Sequence, residues 1–132
     1  MTTYLLDANV LIALTVDEHE HHDRATTWAS SVSSFAVCPV VEGALLRFLV
    51  RLGESQATAT AVLHAVRRMR GCRFWPDDLS YADIDLTKVR GHRQITDAYL
   101  VALVSRHPGS QLATMDEGLA ELAPNATFVL PR

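Results

Sequence analysis

Cysteine is scarce in this chain. Cys38 and Cys72 are the only two, and they form no C-x-x-C pair. That pattern excludes a disulfide-stapled scaffold and a Cys/His zinc site, so both are read as free thiols of a reducing compartment. Long apolar runs are also missing, and none approaches the roughly 18 residues of a membrane span. The N-terminus, MTTYLLDANVLIALTVDEHEHH, lacks a basic start, and Asp7 and Asn9 break its apolar stretch, so it does not read as a secretory leader. Cytoplasmic residence without membrane attachment is the resulting expectation. No strong charge of either sign is present: 12 Lys and Arg stand against 15 Asp and Glu. The broad basic footprint of many nucleic-acid binders is therefore absent. No repeat, linker or low-complexity tract divides the sequence, which predicts one domain over residues 1–132.

What is present is apolar content in short, regularly placed runs. At 48% hydrophobic residues over 132 positions, the chain is long enough to bury roughly two-thirds of its unfolded surface. Thr3–Leu6 reads as a short buried strand ending at Asp7, followed by a helical turn or two over Val10–Leu14. A polar helix is expected over 19–32, with Ala25, Trp28, Ala29 and Val32 on one side. Residues 35–41 read as a second buried strand turning at Pro39, and a helix follows over 42–52. The next helix, 55–70, has Ser55 as its N-cap and stops at Gly71. Residues 72–75 are a candidate short strand or a packed extended segment, 81–86 a weak helix and 90–93 a loop. Thr96 is expected to cap a helix carrying Asp97 in its first turn. Strands at 111–115 and 127–130 flank a helix over 116–122. The strand runs lack polar alternation, which implies burial on both faces. The predicted fold is α/β, a three-layer α/β/α sandwich around a mainly parallel sheet.

Asp7 and Asp116 each follow a predicted strand, while Glu42 and Asp97 each open a helix. In open parallel sheets, ligand sites gather beyond the carboxyl ends of the strands. Four acids from four segments then face one edge. Any one of them alone is more often a turn residue or helix cap than a ligand. Together they cannot all remain ionised without compensation, and a hard divalent cation such as Mg²⁺ or Mn²⁺ supplies it through oxygen ligands. Such a cation lowers the pKa of water it holds and offsets charge on a phosphate, which is the chemistry of phosphodiester hydrolysis. With these four acids neutralised, 11 acidic residues remain against 12 basic ones, so net charge does not oppose an anionic substrate. Asn9 and Thr114 stand two residues from Asp7 and Asp116 and are placed to support them.

Four segments carry a family resemblance: YLLDANVLI, VVEGALLRFL around Glu42, GHRQITDAYLVALV and LATMDEGLA. They resemble the acidic motifs of PIN-domain ribonucleases, and more narrowly those of toxins of the VapC type. The resemblance runs in order along nearly the whole chain. It implies a PIN-like fold and a metal-dependent endoribonuclease acting as the toxin of a toxin–antitoxin pair. It implies Asp7, Glu42, Asp97 and Asp116 as catalytic and metal-holding acids, with Asn9 and Thr114 in support. It also implies Mg²⁺ or Mn²⁺, an RNA substrate, a small antitoxin partner and a homodimer. Two rival readings are a structure-specific DNA nuclease and a noncatalytic PIN-like interaction module. The first lacks a helical arch, and the second would need a lost acid.

Other features divide between surface and site. Arg67, Arg68, Arg70 and Arg73 read as a solvated helix surface or an RNA-steering patch. Arg47 and Arg51, and His92 and Arg93 just before the Asp97 helix, are candidate RNA contacts. His19, His21 and His22 lie among acids and read as a charged surface. Trp28, Trp75, Phe48 and Phe74 are expected in packing.

Overall fold

The computed structural model describes residues 1–132. Five strands form one sheet: β1 (Thr3–Leu6), β2 (Phe35–Val37), β3 (Cys72–Phe74), β4 (Ser110–Thr114) and β5 (Thr127–Val129). Their order is β3-β2-β1-β4-β5, and every pairing is parallel. The helices are α1 (Ala8–Thr15), α2 (His22–Ala29), α3 (Pro39–Arg51), α4 (Gln56–Arg67), α5 (Gln94–Ser105) and α6 (Glu117–Leu122). α1 packs on α2 and α3, and α3 packs on α4, whereas α5 lies on β4 and α6 on β4 and β5. Right-handed crossovers account for this division, since the chain winds one way from β1 to β3 and the other way afterwards. The sheet thus lies between two helical layers, the architecture read from the sequence.

The strands are apolar because both faces are covered. Leu5, Leu6, Phe35, Ala36, Val37, Leu112 and Ala113 are all buried, and Val10, Leu11, Val41, Leu45, Leu100 and Leu103 close over them from the helices. Each such aliphatic side chain contributes about 1.5–3 kcal/mol by leaving water. Trp28 and Trp75 belong to this core. Phe48 is half-buried and Phe74 is 40% exposed, so of the four aromatics expected in core or subunit packing the tryptophans are the two in the core of this chain. Both cysteines are free. No helix is long and apolar enough to cross a membrane.

Local chemistry sets the element boundaries. Ser55 caps α4 by accepting from the Thr58 N–H at 3.0 Å. Pro39 does not end a long strand; it is the first residue of α3, where its missing N–H costs nothing. α2 is shorter than the expected 19–32. Turn hydrogen bonds from His19 N–H to Val16 O and from His22 N–H to His19 O occupy the stretch before it, and the Ser30 and Ser31 hydroxyls bond back to Thr27 O and Trp28 O at its end. α5 begins at Gln94 instead of being capped by Thr96. The Gln94 side-chain oxygen accepts from the Arg90 N–H at 2.7 Å and starts the first turn early. Residues 81–86 reduce to one 3₁₀ turn, Tyr81–Asp83.

Gly71 is where the backbone demands glycine. Its φ is +84°, and a Cβ there would lie 2.3 Å from the Ser33 carbonyl oxygen. Its own carbonyl accepts from the Phe35 N–H at 3.0 Å, so this close approach seats β3 against β2.

Candidate active site

β1 and β4 are neighbours in the sheet, yet the chain leaves them in opposite directions. A crevice opens at that switch point, beyond the carboxyl ends of the strands. Asp7 and Asp116 both arrive there. The ladder runs on into Asp7, whose N–H donates to Ala113 O at 2.9 Å. Its carbonyl accepts from the N–H groups of Val10 and Leu11, which begins α1. The Asp7 carboxylate is held at both oxygens: Oδ1 accepts from the Ala8 N–H at 2.8 Å, and Oδ2 accepts from the Thr114 hydroxyl at 2.7 Å. Burial nevertheless drives its pKa up. The bonds from Thr114 and Ala8 oppose that rise, and the charge of Asp116 adds to it.

Thr114 is fully buried and uses its hydroxyl completely. It donates to Asp7, accepts from the Asp116 N–H at 3.0 Å and faces the Asn9 side-chain amide at 3.4 Å. Asn9 Oδ1 accepts from the Met115 N–H at 3.3 Å. Asn9 and Thr114 thus tie the end of β1 to the end of β4. Asp116 caps α6, accepting from the Gly118 N–H at 2.9 Å.

Asp97 comes from the first turn of α5. Burial, then the charges of Asp7 and Asp116, push its pKa from 3.8 up to about 6, and no hydrogen bond offsets the rise. Three carboxylates therefore repel one another at one edge with no basic side chain paired to any of them. Glu42 lies in the first turn of α3 but does not join this repulsion. Its carboxylate, 14% exposed, pairs with the Arg67 guanidinium at 3.6 Å.

The donor set suits a hard divalent cation: it is all oxygen and carries excess negative charge. As the side chains stand, no three acids converge at metal-binding distance.

The candidate RNA contacts separate by position. Arg47 reaches back along α3, with Nη1 3.3 Å from where a Cβ on Gly43 would lie. Arg51, in the last turn, is about 13 Å further along the axis than Glu42 at 1.5 Å per residue. His92 and Arg93 are exposed in the turn leading into α5. Sequence reasoning did not single out Lys88, Arg90 and Gln94. With Thr87, Gly118, Glu121 and Leu122 they line a polar cavity of about 500 Å³ beside the starts of α5 and α6. Three cations in the 85–93 segment, Lys88, Arg90 and Arg93, were the available signal. Arg67 was legible only as part of a basic group, of which it alone meets an acid.

Comparison with known proteins matches these features. The PIN-domain family profile covers residues 4–124. The chain is 52% identical over 130 residues to Ribonuclease VapC29 of Mycobacterium tuberculosis, an alignment spanning 98% of this chain and 97% of the relative. Among solved structures, the Mycobacterium tuberculosis toxin VapC20, which cleaves the sarcin-ricin loop, superposes with a TM-score of 0.65 at 18% identity, covering 91% of this chain and 95% of the other. A chain of the Rickettsia felis VapBC2 complex bound to promoter DNA superposes equally well at 10% identity, covering 98% of this chain and all of the other. The acids at the switch point thus sit in a chain that matches the PIN profile almost end to end, and this protein belongs to the PIN-domain family, among the VapC ribonucleases.

Proposed function

We propose that this protein is an endoribonuclease that hydrolyses RNA phosphodiester bonds with Mg²⁺ or Mn²⁺, as the toxin of a toxin–antitoxin pair. The carrying observation is the gathering of Asp7, Asp97 and Asp116 at the β1–β4 edge, where the charges of Asp7 and Asp116 act on Asp97 and no basic side chain pairs with any of the three. These three carboxylates would hold the ion, and Glu42 would orient the attacking water. Once bound, the ion lowers the pKa of water and stabilises charge developing on phosphorus.

The protein's own residues prepare this chemistry. Thr114 and the Ala8 N–H fix the rotation of the Asp7 carboxylate before any ligand arrives. Asp116 is held by its cap to Gly118, while Asp97 is free to turn. Arg47, His92 and Arg93 are proposed to contact RNA phosphates, and the cavity lined by Lys88 and Arg90 offers a path for the strand. The family resemblance supports a small antitoxin as partner, a homodimer and cytoplasmic residence.

Purified protein incubated with total RNA and Mn²⁺ should produce discrete cleavage ends. EDTA should abolish them, and Asp7→Asn or Asp97→Asn should slow cutting at least about 100-fold while the fold persists. Equal cutting by these variants refutes the assignment.

A further inference from the structure

We propose that Arg67 is a positioning residue for Glu42, holding the carboxylate in its working orientation from a platform provided by Phe74. This inference rests on the ribonuclease reading above.

Glu42, Arg67 and Phe74 come from three different elements that meet at the carboxyl end of the β2–β3 pair. Phe74 stands in register with Val37, the last residue of β2, and the chain passes from Val37 into the helix that carries Glu42. Arg67 is the last residue of α4. There a cation is favoured by the partial negative charge of the helix C-terminus. Its guanidinium carbon lies 4.6 Å from the centre of the Phe74 ring, close enough for the ring face to attract the charge. The same guanidinium stands 3.6 Å from Glu42.

This explains two features at once. Phe74 is 40% exposed, and the guanidinium of Arg67 covers its face. Glu42 is largely covered, and a covered carboxylate needs a compensating group. The four arginines near the end of α4 consequently divide in function. Arg73 donates to the Ser34 hydroxyl at 3.1 Å, and Arg67 alone engages an acid. An arginine suits this position better than a lysine, because its planar group can lie on the ring and still present N–H groups to a carboxylate.

Outer partners of catalytic carboxylates typically affect activity 10- to 100-fold. Arg67→Ala should therefore lower kcat on a short RNA by about 10- to 100-fold with KM changed by less than about twofold. Arg67→Lys should fall between it and the wild type, and added guanidinium should restore part of the lost rate in Arg67→Ala. The double variant Glu42→Gln/Arg67→Ala should be no slower than Glu42→Gln, since both changes break one unit. In the metal-free protein, the Glu42 carboxyl-carbon resonance should move in Arg67→Ala and stay in place in Arg68→Ala. Arg67→Gln and Phe74→Leu serve as milder variants, each expected to lower kcat.

A raised KM with unchanged kcat would make Arg67 an RNA contact and overturn the proposal. So would additive losses in the double variant, or full activity in Arg67→Ala, Arg67→Gln and Phe74→Leu. Failure of the ribonuclease reading itself is a different result: Asp7→Asn and Asp97→Asn as active as the wild type.

Discussion

Removing the charge of Asp97 should stabilise the metal-free protein, and only where that charge exists. Its pKa in the folded chain is about 6, against an ordinary 3.8. Between these values the native state keeps a proton that the unfolded chain has released, so stability falls as pH rises through this window. Above about pH 6 the whole cost persists. A rise of roughly 2, at 1.36 kcal/mol per tenfold change, gives an upper bound near 3 kcal/mol. Asp97 is partly exposed, and solvent screening reduces this to about 1–2 kcal/mol. Asn has the same shape without the charge, and Asp97 has no stabilising hydrogen bond to lose. Urea unfolding in EDTA should therefore find Asp97→Asn more stable than wild type by about 1–2 kcal/mol near pH 8, with the gap closing toward pH 4. Mn²⁺ should stabilise the wild type more than the variant and narrow or reverse the difference. A variant less stable at both pH values, or a gap independent of pH, would refute the electrostatic picture of the edge.

Thr114→Val keeps the side chain's shape but leaves the Asp116 N–H without its acceptor and Asp7 without one donor. Unfolding free energy should drop by about 1–3 kcal/mol. Because the lost donor favoured the ionised form, the acid limb of the pH–rate profile should move to higher pH; an unmoved limb would separate Thr114 from Asp7. Gly71→Ala should cost at least about 2 kcal/mol in urea, since a left-handed φ is strained for alanine and the added carbon meets backbone that cannot rotate away. A loss under about 1 kcal/mol would contradict that contact. Gly43→Ala should crowd Arg47 while favouring the helix by up to about 1 kcal/mol. If Arg47 contacts RNA, KM should rise a few-fold at constant kcat and unchanged or higher thermal stability. An unchanged KM argues against that contact.

The fold was legible wherever local chemistry and burial agree. Tyr4, Leu5 and Leu6 announce a covered strand and Ser55 a helix start, whereas α4 ends at Arg67, before the stop expected at Gly71. Boundaries shifted where side chains act on the backbone at short range, as with Gln94 reaching back to Arg90 or Ser30 and Ser31 unwinding the end of α2. The acids were legible because each lies beside a strand end or helix start. Their relations were not. Thr114 and Asp7 are more than a hundred positions apart, and only the parallel pairing of β1 with β4 makes them partners. Arg67 and Glu42 likewise meet through the packing of α3 on α4, which no spacing in the sequence encodes.

The bond from the Asp7 N–H to Ala113 carries one last implication. Since this acid is itself bonded into the sheet, its backbone is held about 4.8 Å from the neighbouring strand by the pitch of a backbone ladder, and not by side-chain packing. Helices around it can drift in sequence while the anchor point of this acid stays constant. Descendants of this protein could therefore exchange surfaces, and with them their targets, without re-inventing the foothold of this carboxylate.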